Sequence, residues 1–126
     1  ETKHGSPFVD DEDVPEHLRS TAAPPKANDY DTDDNHHLRW EWVMDEMIFA
    51  FEHSQDTSWQ DRFSSGVIDR KSVPCAWDAN GQPTLYEWVE GPNHTYHCDR
   101  EGMKRIEDRM QRGFELFGKY YTSLWD

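Results

Sequence analysis

The 126-residue chain has no long apolar run and few basic residues. A membrane-spanning helix needs about 18 or more consecutive apolar residues, and no stretch approaches that length. The 13 Lys and Arg residues are outnumbered by 26 Asp and Glu residues, which gives a formal net charge of -13 at pH 7. Because a protein that binds along a nucleic-acid duplex needs a basic surface, this charge argues against duplex binding. We therefore expect neither a membrane nor a nucleic-acid duplex as a partner.

The common phosphate and zinc motifs are also missing. The glycine patterns G-x-x-x-x-G-K-S/T and G-x-G-x-x-G do not occur, and neither does H-E-x-x-H. A nucleotide-hydrolysing role consequently has no support in the sequence. We expect no catalytic residue, no cofactor and no enzymatic activity, although a concave site assembled from residues distant in sequence would leave no such motif.

Aromatic residues are abundant: the chain has 6 Trp, 5 Tyr and 6 Phe, although only 34% of its residues are hydrophobic. Disordered segments are poor in aromatic residues, so this content predicts a folded chain. A length of 126 residues is typical of one domain, because single domains usually have about 100–200 residues.

The negative charge lies in the first three quarters of the chain. Residues 1–98 contain 20 acidic and 7 basic residues, whereas residues 99–126 contain 6 of each. This distribution has two explanations: a solvated polar segment, or a negative surface that binds a basic partner or mimics nucleic acid. The densest acidic runs supply the candidate partner-binding residues, which are Asp10, Asp11, Glu12, Asp13, Asp29, Asp31, Asp33 and Asp34.

Residues 1–35 contain four prolines and few large apolar side chains, which predicts an extended acidic arm. Such a segment cannot form its own core, so its apolar residues must pack on the rest of the chain or on a partner. Residues 36–126 are predicted to form a single α+β domain. Its first helix should run from about His36 to about His53, because apolar residues recur there at helical spacing. These residues are Trp40, Val43, Met44, Met47, Ile48, Ala50 and Phe51.

The last predicted element is a helix from Asp99 to about Leu124. Its apolar residues recur every three or four positions, and Asp99 can cap its start. Acid–base pairs at a spacing of four residues are expected to stabilise it by about 0.2–0.5 kcal/mol each. These pairs are Glu101–Arg105, Asp108–Arg112 and Glu115–Lys119. Gly113 lies on the apolar stripe, where it would allow another backbone to approach closely.

Between the helices, short runs rich in aromatic and β-branched residues predict a three-stranded antiparallel meander over residues 73–77, 84–89 and 94–98. Asn80-Gly81 favours a tight two-residue turn between the first two strands. This turn gives a register that should place one aromatic face on the helices. The pairs in this register are Val73–Trp88, Cys75–Tyr86 and Trp77–Thr84. The predicted fold is therefore two long packed helices with a three-stranded antiparallel meander and an extended acidic N-terminal arm.

Residues of the predicted meander include possible zinc ligands, which are Cys75, His94, His97 and Cys98. They are weak metal candidates, because neighbouring residues of a strand point to opposite faces and only His94 and Cys98 would share one. The more ordinary interpretation is a buried cysteine with exposed histidines. In the meander the two cysteines would lie on the outer strands, about 9–10 Å apart, which is too far for a disulfide.

Several segments resemble small uncharacterised proteins of tailed bacteriophages, including marine phages. They are residues 45–52 (DEMIFAFE), residues 91–95 (GPNHT) and residues 109–125 (RMQRGFELFGKYYTSLW). The resemblance covers about residues 36–126. It implies a phage product in the cytoplasm of the infected bacterial host or in the virion. No established activity, cofactor or catalytic residue comes with this family.

These observations lead to the hypothesis of a non-catalytic protein that binds a host or phage protein through an acidic surface. The alternative is a virion or assembly component whose arm is ordered only between subunits. A small enzyme, a zinc-binding protein and a protein with a small ligand between helices and meander have less support. Apolar residues near the chain end cover more than one side of the last helix, so they either pack under the arm and the meander or form a self-association surface, and the second interpretation favours a homodimer. These residues are Phe117, Tyr120, Tyr121, Leu124 and Trp125.

Overall fold

The computed structural model describes residues 5–125 and has an α+β fold. Its α helices are α1 (His36–Gln55) and α2 (Arg100–Lys119), and each has 20 residues. The strands are β1 (Ser64–Ser65), β2 (Arg70–Trp77), β3 (Pro83–Glu90) and β4 (His97–Cys98). Short 3₁₀ turns occupy Asp11–Asp13, Glu16–Leu18, Ser20–Ala22, Thr57–Phe63 and Tyr121–Trp125. The described residues divide into two compact units, residues 5–57 with 104–125 and residues 58–103.

The core of the first unit combines α1, α2 and the arm, which is residues 5–35 in the described chain. Trp40, Val43 and Met47 of α1 are buried at helical spacing, as predicted. Ile48 and Phe51, which the sequence places on the same stripe, are exposed. The buried stripe of α1 is therefore narrower than its apolar pattern. The core is completed by Val9, Val14, Leu116 and Tyr120. The arm therefore contributes to the core instead of lying outside it.

Gly113 lies at a close contact between α2 and α1. A Cβ atom at this position would overlap the backbone oxygen of Glu46 and lie 2.6 Å from the Cβ atom of Ala50. The close approach predicted at this glycine is confirmed. Nearby, the Arg109 guanidinium lies 2.7 Å from the Glu46 carboxylate and 3.8 Å from the centre of the Phe49 ring. A buried acid of α1 is thus paired with a cation of α2.

The start of α2 is capped as predicted, since the Asp99 carboxylate accepts a hydrogen bond of 3.0 Å from the Gly102 amide. The helix ends at Lys119, before the predicted end, and a 3₁₀ turn follows. Within the described chain, none of the three predicted acid–base pairs of α2 is present. The pair that forms is Lys104–Asp108 at 2.9 Å, whereas Lys119 contacts carboxylates of the arm. Lys119 thus pairs with carboxylates that are close in space but distant in sequence, and the spacing of residues along α2 does not reveal them.

The predicted three-stranded meander is wrong. β2 and β3 form one antiparallel pair, and β4 forms a separate antiparallel pair with β1. The Val67 carbonyl accepts hydrogen bonds from the amides of Thr95 and Tyr96 at 2.9 and 3.0 Å. These bonds hold the segment before β4 beside the segment after β1, and so direct β4 away from β3.

The predicted register of β2 and β3 is also wrong. Tyr86 lies opposite Pro74 and Trp88 lies opposite Ser72, one residue from the predicted partners. The loop is longer than two residues, because both the amide and the carboxylate of Asp78 form hydrogen bonds across it. Tyr86 and Trp88 consequently share a face with Ser72 and Pro74.

In the β2–β3 pair, the pairing register is irregular within β2, and the side chains of β3 are exposed to solvent. Cys75 has no partner residue in β3, and register shifts occur on both sides of Ala76. Pro74 has no amide hydrogen and cannot complete a regular hydrogen-bond ladder, which explains an irregularity at this point. All eight residues of β3 are exposed, and so is Trp77. The expected burial of one aromatic face is therefore wrong.

Candidate protein-binding surface

Two valines anchor the arm in the first unit. Val9 is 1% exposed and Val14 is 4% exposed, and both lie in the core with Trp40 and Val43. The 3₁₀ turn Asp11–Asp13 lies between them. One buried valine lies before this acidic turn and the other after it, so the turn is held against the helices of the unit.

Asp10 and Asp13 are bound by the end of α2 and by the residue that follows it. The Lys119 ammonium lies 2.8 Å from the Asp10 carboxylate and 2.6 Å from that of Asp13. The Tyr120 hydroxyl donates a hydrogen bond of 2.5 Å to Asp13 and accepts one of 3.0 Å from the Asp10 amide. Burial, and then the bond to Asp13, raises the pKa of Tyr120 to about 12. Hydrogen bonds to Asp10 and Asp13 likewise raise the pKa of Lys119, so both groups stay protonated at neutral pH.

Asp33 and Asp11 face a buried arginine. The Arg39 side chain is 2% exposed, and its guanidinium donates two hydrogen bonds of 2.8 Å to the Asp33 carboxylate. These bonds lower the pKa of Asp33 to about 2. The Nε atom of Arg39 lies 3.9 Å from Asp11 and has no hydrogen-bond partner in the described chain. The Asp11 carboxylate instead accepts hydrogen bonds from the hydroxyl and amide of Ser20 at 2.5 and 2.9 Å, which lower its pKa.

The other candidate carboxylates face solvent, and they are Glu12, Asp29, Asp31 and Asp34. Glu12 lies 3.7 Å from the Lys119 ammonium, whereas the other three have no ion pair with any residue in 5–125. Tyr30 is 98% exposed. The Asn28 side chain accepts a hydrogen bond from the Tyr30 amide and donates one to the Asp31 carboxylate, both at 2.9 Å. We call residues 28–34 the acidic loop, and the hydrogen bonds of Asn28 order its first part, residues 28–31.

The structure thus divides the eight candidate carboxylates into two sets. The inward set is bound by other residues of the described chain and consists of Asp10, Asp11, Asp13 and Asp33. The outward set faces solvent and consists of Glu12, Asp29, Asp31 and Asp34. Sequence reasoning missed the groups that bind the inward set, which are Arg39, Lys119 and Tyr120. A signal for Arg39 was available, because it lies four residues before Val43 on the buried stripe of α1. A cation buried at such a position requires an anion beside it. No comparable signal marks Lys119, because helical spacing predicts a pair with Glu115 and gives no indication of Asp10 or Asp13 as its partners.

An open cavity of about 290 Å³ lies beside the Asp11–Asp13 turn. Its lining residues are Glu12, Asp13, Arg112, Glu115, Leu116 and Lys119. Lys119 is already paired with the arm, and the lining contains more acids than cations. The cavity therefore offers one cation, Arg112, and a single apolar wall, which together do not define a ligand.

The structure does not bring together the four zinc candidates, which are Cys75, His94, His97 and Cys98. Cys75 lies in β2 and is exposed, so it is not the buried cysteine that was expected, whereas Cys98 lies in β4 and is partly buried. The Nδ1 atom of His94 accepts a hydrogen bond of 2.9 Å from the Asp69 amide. Among residues 5–125, no group of three or more His, Cys, Asp or Glu is arranged to hold a metal ion. Both cysteines are free thiols.

Neither α1 nor α2, nor any other helix in the described range, is long and apolar enough to cross a membrane. Comparison of the chain with models of known protein families, with curated proteins and with solved structures gives no match. The residues themselves therefore carry the functional argument.

Proposed function

We propose that the chain is a non-catalytic phage protein that binds a basic protein of the phage or of its bacterial host through the acidic loop. One observation carries this proposal. Asp29, Asp31 and Asp34 are exposed and have no cationic partner within residues 5–125, and they lie within four residues of the exposed Tyr30 in the chain. The phage context rests on the resemblance of residues 36–126, and the site of action would be the cytoplasm of the infected cell.

Charge and exposure both support the acidic loop as the contact. A net charge of -13 attracts a basic partner and repels an acidic one. Tyrosine is common among the residues that dominate binding energy at interfaces, and its ring supplies contact area at small entropic cost. The hydrogen bonds of Asn28 restrict the loop before binding, which reduces the ordering cost on association. The acidic loop thus offers an exposed aromatic ring together with carboxylates that have no cationic partner within residues 5–125.

The inward carboxylates have a different role. Asp10, Asp13 and Asp33 fix the arm to α1 and to the end of α2, because Lys119 pairs with the first two and Arg39 with the third. Changing them would disturb the fold together with any binding. A test of binding must therefore spare them and alter the outward set alone.

Affinity capture from phage-infected cells, with two variants of equal charge, tests the proposal. The loop variant carries Asp29→Asn, Asp31→Asn and Asp34→Asn. The control variant carries Glu41→Gln, Asp45→Asn and Glu107→Gln, which removes three exposed charges from α1 and α2. We expect the control to retain a basic partner that the loop variant loses, and the captured amount to fall as salt increases. A single Tyr30→Ala change should also weaken capture.

Two results would contradict the acidic loop as the contact. One is a partner retained equally by both triple variants. The other is equal loss in both, since that would show a dependence on total charge with no preferred surface. Circular dichroism of each variant would confirm that the fold is unchanged.

A virion or assembly component is the alternative, and it receives less support. That hypothesis assumed an arm ordered only between subunits, whereas Val9 and Val14 pack in the core of their own chain. Mass spectrometry of purified particles separates the two proposals. A host-directed binding protein should be missing from the particles, and a virion component should be present in a fixed ratio to the other structural proteins.

We also propose that the chain end forms a homodimer contact. Tyr121, Leu124 and Trp125 are exposed, and Tyr121 stacks edge-to-face on Phe117 and on Trp125 at 5.4 and 4.7 Å. The Tyr121 and Trp125 rings are thus in contact with each other and both exposed, and adjoining exposed apolar side chains are typical of association sites. Sedimentation velocity should show a dimer that Trp125→Ser weakens and that Trp77→Ser, at another exposed tryptophan, leaves intact. A chain that is monomeric at all concentrations would contradict this contact.

A further inference from the structure

The first part of the arm, residues 5–23, contacts the helices of its unit through a few side chains. Val9 and Val14 lie in the core, and the Lys119 ammonium binds carboxylates located between these valines in the chain. We call residues 5–23 the docked segment. The helices thus bind a defined set of side chains, in which apolar residues precede and follow an acidic turn. The same segment of a second copy of the chain presents an identical set.

Residues 24–32, which we call the hinge, connect the docked segment to the residues before α1. All of them are exposed, and they contain neither helix nor strand. Within residues 5–125, every hydrogen bond of the hinge joins two of its own residues, and all of these bonds involve Asn28. The hinge can therefore change its conformation without breaking a hydrogen bond to the helices.

The hinge belongs to a loop whose two ends touch. The Asn35 side chain donates a hydrogen bond of 3.1 Å to the Arg19 carbonyl, 16 residues earlier, so the chain must turn back between them. Pro24 and Pro25 oppose this return, because proline and the residue before it favour extended backbone. Ala23 is indeed extended, with φ -85° and ψ 155°. Closing a loop also costs entropy, and an extended hinge would avoid both costs.

An extended hinge would carry the docked segment away from its own helices and towards those of another copy. At full extension, residues 24–32 span about 30 Å. Two copies that exchange their docked segments reciprocally remake the contacts of the closed monomer, with Val9 in the core and Asp13 on Lys119 of the second copy. Reciprocal exchange closes on itself and gives a dimer. Because a chain's own segment has an effective concentration on the order of millimolar, exchange requires concentrated protein.

We propose that two copies of the chain exchange residues 5–23, so that the docked segment of each copy binds the helices of the other. This dimer differs from the chain-end contact, which leaves each docked segment on its own helices. It also requires no basic partner protein. A failure here would therefore leave the proposed function standing, and the reverse also holds.

The ion pair of Lys119 with Asp13, 2.6 Å long, allows a direct test on the unaltered full chain. A carbodiimide joins an ammonium to a carboxylate that touches it. Chains with natural nitrogen and chains with heavy nitrogen are mixed, unfolded, refolded at high concentration, separated by size exclusion and cross-linked. We expect mixed-label Lys119–Asp13 links in about half of the dimer, because the two labels pair at random. The monomer should contain same-label links only.

A pair within α2 is the internal control. Lys104 lies 2.9 Å from Asp108 of the same helix, so their link must join peptides of one label in every fraction.

The hinge is tested by two double variants. Pro24→Gly with Pro25→Gly should lower the dimer fraction about threefold or more, because glycine lets the hinge turn back more easily. Pro83→Gly with Pro92→Gly, at exposed prolines of the second unit, is the matched control and should have little effect.

Two results would overturn the proposal. A dimer in which every Lys119–Asp13 link joins peptides of the same label would show that each docked segment stays on its own chain. A chain that refolds at millimolar concentration without any dimer would show that no exchange takes place. Both results come from the unaltered chain, so they decide the question even if a proline variant fails to fold.

Discussion

The hydroxyl group of Tyr120 donates a hydrogen bond of 2.5 Å to the carboxylate of Asp13, which lies 107 residues earlier in the chain. The ring of the same tyrosine packs edge-to-face on Trp40, with 6.2 Å between ring centres. One side chain therefore joins the hydrophobic core to the acidic arm. The position of the arm depends on a residue directly after α2, so the two ends of the chain are coupled in stability.

Removing the Tyr120 hydroxyl should loosen this coupling without opening the core. Tyr120→Phe retains the ring but leaves the Asp13 carboxylate and the Asp10 amide without this partner. We expect the free energy of unfolding to fall by about 1–2 kcal/mol, measured by urea denaturation. Tyr121→Phe, at the exposed neighbour, should change it by less than about 0.5 kcal/mol. Equal values for the two variants would show that the Tyr120 hydroxyl does not hold the arm.

The ion pair of Asp33 with Arg39 should make stability depend on pH in the acid range. The pKa of Asp33 is about 2 in the folded chain, against a reference value of 3.8. Folding therefore favours the ionised form. Its contribution is complete above about pH 4 and is lost as the pH falls towards 2, a change of about 1–2 kcal/mol.

Asp33→Asn should remove this part of the pH dependence and lower stability at pH 7. Asp34→Asn, at the adjacent carboxylate with no ion pair in residues 5–125, is the matched control and should retain it. Urea midpoints measured at several pH values between 2 and 7 decide the matter. A slope that survives unchanged in Asp33→Asn would assign the acid sensitivity to another group.

Two glycines of α2, Gly113 and Gly118, should respond in opposite directions to alanine. At Gly113 the added methyl group would overlap the Glu46 backbone, and we expect a net loss of about 1–3 kcal/mol despite the better helix propensity of alanine. At Gly118 nothing lies within 4 Å of the added methyl group. Gly118→Ala should therefore stabilise the chain by about 0.5–1 kcal/mol. Thermal unfolding of both variants checks the pair, and a tolerated Gly113→Ala would contradict close packing of the two helices.

The helices could be predicted from the sequence because each has a clear local signal. Asp99 marks the start of α2, and Trp40, Val43 and Met47 mark the buried stripe of α1. The strands could not be paired correctly, because their pairing depends on contacts without such a signal. The short strand at Ser64–Ser65 has neither aromatic nor β-branched residues, and it nevertheless takes β4 as its partner.

The acidic site could be located from the sequence but not resolved into its parts. Acidic runs were visible in the charge pattern, whereas the division into inward and outward carboxylates depends on which cations reach them in space. Arg39 and Lys119 are far from most of these acids in sequence. Asp33 and Asp34 are neighbours with the same side chain, yet one is held by a buried arginine and the other faces solvent. Only three-dimensional contacts separate such residues.

Docking of the arm can be tested directly at its buried valine. Val9→Ala removes two methyl groups from a position that is 1% exposed, and we expect a loss of about 2 kcal/mol. Phe8→Ala removes a larger side chain, but Phe8 is exposed, so the expected change is below about 0.5 kcal/mol. Limited proteolysis should cleave the arm faster in Val9→Ala, because its docked state is less populated. If Phe8→Ala lowered the free energy of unfolding as much as Val9→Ala, burial of Val9 would not be what holds the arm. The inward carboxylates would then not be fixed in place by the docking of Val9.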